Sequence, residues 1–145
     1  MKRLHVHIKV KDIEESAKFY AALFGREPDK REPDYAKWML EDPRANISIS
    51  ARKAPLAFGV DHVGVQVEND AALAEIAARV KRATGDIVEE ADATCCYARS
   101  NKYWATGPEG VVWELFHTFG DSASFGATRP NIEAPKATAC CGPAA

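Results

Sequence analysis

No stretch of this chain stays apolar for long. The longest runs, Val111–Trp113, Leu115–Phe116 and the alternating Val63–Val67, fall far short of the roughly 20 residues a bilayer-spanning helix needs. A membrane partner is therefore not expected. Charge of one sign is also lacking: 19 Lys and Arg stand against 21 Asp and Glu, a net −2. Such a balance offers no electrostatic footprint for nucleic acid. The opening Met1-Lys2-Arg3-Leu4-His5 runs straight into a strand pattern and has no apolar signal region, so the expected location is cytoplasmic. Cysteine is scarce and oddly placed. The four cysteines form two adjacent pairs, Cys95-Cys96 and Cys140-Cys141. A disulfide between neighbours closes a strained ring, which excludes an ordinary structural staple. In a reducing compartment, paired thiols point to metal binding, redox work or chance.

What is present is an internal repeat. Residues 5–12 read His-Val-His-Ile-Lys-Val-Lys-Asp, and residues 62–69 read His-Val-Gly-Val-Gln-Val-Glu-Asn. Both alternate as a half-buried strand does, and both end in a residue able to cap a helix. Helical patterns follow over Ile13–Phe24 and Asp70–Arg82. In the first, Asp12 stands three residues before Glu15, as in a capping box, and Ala17, Tyr20, Ala21 and Phe24 share a face. Gly25 and Gly85 lie just past the helix ends, where a left-handed residue is usual. Short strand-like runs come next: about 27–29, 35–40 and 46–51 in the first half, about 87–90, 96–105 and 111–118 in the second. The prediction is an α+β fold of two βαβββ modules, about residues 1–52 and 60–120, forming one domain over 1–120. Residues 121–145, rich in Ala, Pro, Gly and Ser, read as a flexible tail.

Strand alternation assigns faces. Leu4, Val6, Ile8 and Val10 form the face turned to the first helix, leaving His5, His7 and Lys9 opposite. Val63, Val65 and Val67 do the same in the second module, leaving His62, Gly64 and Gln66. His5 and His62 thus occupy equivalent positions, and a pseudo-twofold would bring them together on one concave surface. A third candidate is Glu114, within Val111-Val112-Trp113-Glu114-Leu115-Phe116. A carboxylate in so apolar a strand needs a metal or a buried cation, Lys or Arg, beside it. Two histidines and one carboxylate with open positions is the ligand set of non-haem Fe(II) oxygenases. His5, His62 and Glu114 are the expected metal ligands. His7 pairs with Gly64 in the repeat and reads as a wall residue, and His117 as a rim residue.

These motifs carry a resemblance. His5 through Asp12 with Phe19-Tyr20 and Leu23-Phe24-Gly25, then Asp61-His62-Val63-Gly64-Val65, then Gly107-Pro108-Glu109-Gly110 leading to Trp113-Glu114, resemble the vicinal-oxygen-chelate superfamily of glyoxalases and extradiol dioxygenases. The first-module run Asn46-Ile47-Ser48-Ile49-Ser50 departs from it. It offers serines where a glyoxalase I-like site would have a fourth ligand. Within the superfamily, Ala93-Thr94-Cys95-Cys96-Tyr97-Ala98 with Lys102-Tyr103-Trp104 resembles the arsenic-inducible carbon–arsenic lyases and cadmium-induced proteins. The resemblance implies Fe(II)- and dioxygen-dependent cleavage of the carbon–arsenic bond of a trivalent organoarsenical, methyl or aryl, releasing arsenite.

The chemistry is coherent, because thiolates are soft ligands for thiophilic centres. Cys95 and Cys96, on a mobile loop, would replace the two exchangeable oxygens on arsenic. Tyr97, Lys102 and Tyr103 are weaker candidates for substrate contact, and Cys140 and Cys141 for product capture. Two other readings remain. One is an extradiol dioxygenase or glyoxalase-like enzyme that gives the thiols no role. The other is a sequestering protein for arsenic or cadmium that needs neither iron nor oxygen. The modules can pair within a chain or between chains, so a homodimer also stays open.

Overall fold

The computed structural model describes residues 1–51, 58–108, 110–126 and 130. Strand β1 (Arg3–Lys9) leads into helix α1 (Ile13–Phe24) and strands β2 (Lys30–Glu32), β3 (Tyr35–Glu41) and β4 (Arg44–Ser50). The pattern then repeats as β5 (Gly59–Val67), α2 (Asp70–Thr84), β6 (Val88–Cys95), β7 (Ala98–Thr106) and β8 (Val112–Asp121). The expected order, βαβββ twice, is what the chain adopts. All eight strands join in one mixed sheet, ordered β2-β3-β4-β1-β5-β8-β7-β6.

Local chemistry sets the helix ends. The Asp12 carboxylate accepts from the Glu15 amide, and Asn69 does the same for Ala72. Gly25, at φ +67°, closes α1 in the left-handed region. Each helix buries a narrow stripe, Ile13 and Ala17 in α1 and Leu73 and Ala77 in α2. Module one packs α1 on Trp38, Leu40 and Ile49, and module two packs α2 on Val67 and Leu115. Strand β2 begins at Lys30 rather than near residue 27. Pro28 has no amide proton for a ladder, and the Asp29 side chain takes the Met39 amide at 2.6 Å. At the opposite edge, β6 carries a bulge between Glu90 and Ala93.

The modules meet where β1 and β5 pair antiparallel, His5 beside Gly64 and His7 beside His62. On the far side of β5 lies β8, with Gly64 beside Glu114. A Cβ built on Gly64 would sit 2.3 Å from the Glu114 carbonyl oxygen, so only glycine lets these two strands approach. Gly64→Ala is expected to part β5 from β8 and cost about 1–3 kcal/mol. Chemical denaturation measures it, and an unchanged midpoint would show that the strands separate freely.

The sheet curls until its ends touch. Lys30 of β2 donates to the Tyr97 carbonyl at 2.7 Å, and the Tyr97 hydroxyl donates to Asp34 at 2.7 Å. The chain past β8 then crosses the opening. Phe125 is buried edge-on against Tyr35 and Tyr97, and Cys95 bridges to Gly126. Residues 121–126, assigned by sequence to the tail, thus contact the fold. Cys140 and Cys141 lie outside the described residues.

Candidate metal and thiol site

The inner face of the curled sheet concentrates the buried polar groups of the molecule. His5, His7, Asn46, Ser48, Ser50, His62, Ser100, Lys102 and Glu114 are all buried there. The Glu114 carboxylate lies centrally. Its Oε2 is 3.5 Å from His5 Nε2 and 3.4 Å from His62 Nε2, and its Oε1 accepts from Lys102 Nζ at 2.7 Å. Glu114 thus turns one oxygen to the two histidines and the other to the lysine, so the salt-bridge partner expected from sequence is Lys102.

Each histidine is oriented from behind. His5 Nδ1 donates to the Asn46 carbonyl at 3.0 Å, and His62 Nδ1 donates to Asp61 at 2.8 Å. Lys9 in turn pairs with the other Asp61 oxygen at 2.7 Å. With both Nδ1 atoms engaged, both Nε2 atoms point at the carboxylate. Cis ligands of a cation with bonds of about 2.1 Å lie roughly 3 Å apart, so this donor set needs little adjustment to hold a divalent metal. Asp61→Asn is expected to weaken metal binding by about 10–100-fold, because an amide no longer fixes the His62 tautomer. Titration calorimetry with Mn(II) checks this, and equal affinities would remove Asp61 from the site.

Burial pushes the His5 imidazole down to about 4 against the pull of Glu114, and burial beside His62 pushes His7 down to about 3. Burial acts the same way on His62, yet Asp61 and Glu114 outweigh it and hold that ring up to about 9. Burial would raise the Glu114 carboxyl, but Lys102 and His62 keep it well below the usual carboxylate range. Glu114 in turn overcomes the burial of Lys102 and raises its ammonium. A stable anion therefore sits between a neutral imidazole and a proton-bearing one, and a metal bound there would displace the His62 proton.

His7 is held differently. Its two ring nitrogens meet the Ser48 and Ser50 hydroxyls at 2.8 and 2.9 Å, and its ring stacks on His62 at 5.1 Å. The three histidines still bring ligand atoms within 4.8 Å of one another. By strand register Ser48 beside His7 corresponds to Glu114 beside Gly64. The serine noted in the sequence therefore supports His7 from the place where a second carboxylate would stand.

The thiols close this same space. Cys95, Cys96, Tyr35, Lys37, Ser100, Phe116 and Thr118 line a narrow cavity of about 40 Å³ together with His5, His62, Lys102 and Glu114. Cys95 ends β6, and Cys96 and Tyr97 are the two residues of the β6–β7 turn, at φ +58° and +59°. That is the signature of a tight type I′ hairpin. The expected mobile loop is thus a two-residue turn, and Cys96 does not begin a strand. Two side-chain-bearing residues in the left-handed region cost roughly 1–2 kcal/mol each, which the seam to Lys30 and Asp34 helps offset. The sulfurs lie 3.0 Å apart. Hydrogen bonding from Cys96, with Lys102 opposing burial, lowers the Cys95 thiol, while the same contact and burial raise Cys96.

Lys102, a candidate for substrate contact, lines the cavity and pairs with Glu114. Tyr97 reaches away to Asp34 at the seam. Tyr103 is not brought in, because alternation along β7 sends it to the α2 side, against Val67, Leu73 and Leu115. His117 sits at the rim against Asp70. Sequence reasoning missed the roles of Asp61, Ser48 and Phe125. Only Asp61 left a signal, as the acid directly before His62. A larger hollow of about 890 Å³ outside α1, beside Glu14, Lys18 and Arg26, brings no ligating cluster together among the described residues.

The Glyoxalase/Bleomycin resistance protein/Dioxygenase superfamily matches residues 2–115. The chain belongs to this superfamily. Within it, the chain is 36% identical to a trivalent organoarsenical cleaving enzyme of Bacillus sp. (strain MD1), over 100% of this chain and 93% of that one. It is 33% identical to the cadmium-induced protein CadI of Mycobacterium bovis, over 97% and 93% of the two chains. The Mn(II)-bound glyoxalase from Novosphingobium aromaticivorans shares the fold, with a TM-score of 0.58 at 17% identity, over 89% of this chain and 44% of that one.

Proposed function

We propose that this superfamily member cleaves the carbon–arsenic bond of trivalent organoarsenicals in the cytoplasm, using Fe(II) and dioxygen and releasing arsenite. One observation carries the reading: the adjacent thiols Cys95 and Cys96 line the same cavity as His5, His62 and Glu114. The full-length likeness to an organoarsenical cleaving enzyme supports it.

His5, His62 and Glu114 would hold the iron, which when bound supplies activation of dioxygen. The chain's own residues prepare the substrate. Cys95, the more acidic thiol, attacks arsenic first and Cys96 follows, so two As–S bonds replace two As–O bonds and two waters leave. The carbon substituent is then the one group on arsenic still free, held within the cavity that the ligands share. Lys102 fixes one oxygen of Glu114 and stands near both thiols, favouring their anionic forms. Phe116 and Tyr35 wall the space, Trp104 packs edge-on behind His62, and Phe125 packs edge-on against Tyr35. Holding substrate and oxidant in one small space is a positioning effect.

The test is anaerobic loading with Fe(II), then a trivalent methylarsenical and air, with speciation of the arsenic. Arsenite formed over many turnovers, and lost in Cys95→Ser, supports the proposal. Stoichiometric capture with the carbon substituent intact would make the protein a thiol-based sequestering protein. Turnover unchanged in the double Cys→Ser variant would point to another glyoxalase-like reaction.

A further inference from the structure

The two modules are built alike but filled differently. One row crosses the helix-facing side of the sheet through paired neighbours: Trp38, Ile47, Val6, Val63, Trp113, Ala105. The pseudo-twofold passes between Val6 and Val63, so Trp38 of module one corresponds to Ala105 of module two. The helices match through their buried residues, Ile13 and Ala17 against Leu73 and Ala77. Three and seven positions beyond Ala17 stand Tyr20 and Phe24, and three and seven beyond Ala77 stand Val80 and Thr84.

In module one Tyr20, Phe24 and Trp38 pack as a cluster, with ring centroids 5.7–6.0 Å apart, and Trp38 is wholly buried. In module two the same three positions carry Val80, Thr84 and Ala105. The volume they do not fill is present as a cavity of about 280 Å³, bounded by Val65, Ile76, Val80, Ala105, Trp113 and Leu115. Its wall is almost wholly apolar, and Trp113, partly exposed, stands at its mouth with Thr84.

We propose that this cavity is a binding site for a neutral aromatic molecule of one or two fused rings, separate from the metal and thiol site. An apolar cavity of about 150 Å³ is enough to take up benzene, so the space here suits a bicyclic ring. The absence of charge on the wall selects a neutral ligand, because a charged group would be desolvated without a partner. Aromatic side chains already occupy the equivalent space in module one, which shows that this framework accommodates flat rings between helix and sheet. The cavity lies on the opposite face of the strands that carry His62, Trp104 and Glu114. A ring there would press on Leu115, next to Glu114, and on Ala105, next to Trp104.

Indole is the probe. Titration calorimetry and thermal melts of the full chain are expected to show one saturable site and a raised Tm. Amide shifts should centre on Val65, Ala105 and Leu115. Ala105→Trp, which copies module one, should fill the space and weaken indole binding at least tenfold. Thr84→Phe, at the exposed mouth, tests the same point where the buried change disturbs folding. Absence of saturable binding overturns the proposal, as does binding unaffected by Thr84→Phe. So does a concentration-dependent dimer, lost on filling and without indole uptake, since a second copy would then occupy the cavity.

Discussion

Glu114→Gln is expected to abolish arsenical cleavage and to lower metal affinity by at least about 100-fold. Changes one shell further out already cost about 10–100-fold, and here the proposed ligand itself loses its charge. The same substitution leaves Lys102 buried without a counter-ion. Its ammonium sits 2.7 Å from Glu114 and is almost wholly enclosed. Breaking a buried ion pair from one side costs about 3–5 kcal/mol. An amide oxygen still accepts from the lysine, which puts the loss near 3 kcal/mol and the fall in Tm near roughly 10 °C. Thermal melts without metal and titration with Fe(II) under nitrogen measure the two effects separately. A variant that binds Fe(II) as the parent does would remove Glu114 from the ligand set, whatever its stability.

Lys102→Met separates the two duties of the carboxylate. Methionine keeps much of the lysine stem's volume but removes the nearer cation from the Glu114 anion, which keeps its longer contact to His62, and the metal-free protein should lose about 3 kcal/mol. A bound divalent cation supplies the missing counter-charge. Saturating metal should therefore raise the Tm of the variant by more than it raises that of the parent. Melts with and without Mn(II) read the difference. Equal metal-induced shifts in the two proteins would show that Lys102 and the cation do not share Glu114. The same variant removes a positive charge that favours the Cys95 thiolate, so alkylation of Cys95 at neutral pH should slow.

Much of this was legible because strands have a period of two. The alternation of Leu4-His5-Val6-His7 and of His62-Val63-Gly64-Val65 put the histidines on one face, and the repeat made His5 and His62 equivalent. Those are local facts, and a sheet preserves them. Tyr103 was named beside Lys102, but a period of two sends such neighbours to opposite faces, and Tyr103 packs toward α2; the turn at Cys96 and Tyr97 was not foreseen either. A left-handed turn without glycine or asparagine leaves little trace in composition. Lys102 was named for substrate contact and not as the partner of Glu114, since nothing local announces that a lysine will meet a carboxylate from the neighbouring strand. The seam from Lys30 and Asp34 to Tyr97 depends on curvature accumulated over eight strands, which no short window records. Gly64 reads as a gap in the histidine pattern, and only the approach of β8 reveals why a side chain there is forbidden.

The ends of the sheet bear on a different property. An open row of unpaired amides at a sheet margin invites another chain to add on, and long flat margins seed polymers. Here one margin, β2, is three residues long, and the other, β6, is broken by its bulge and carries Glu89, Glu90 and Asp92. Curling then folds the tip of each margin against the opposite end of the same molecule. Neither margin offers a straight template for a neighbour, so the chain should tolerate high concentration and repeated cycles of heating without forming fibrils.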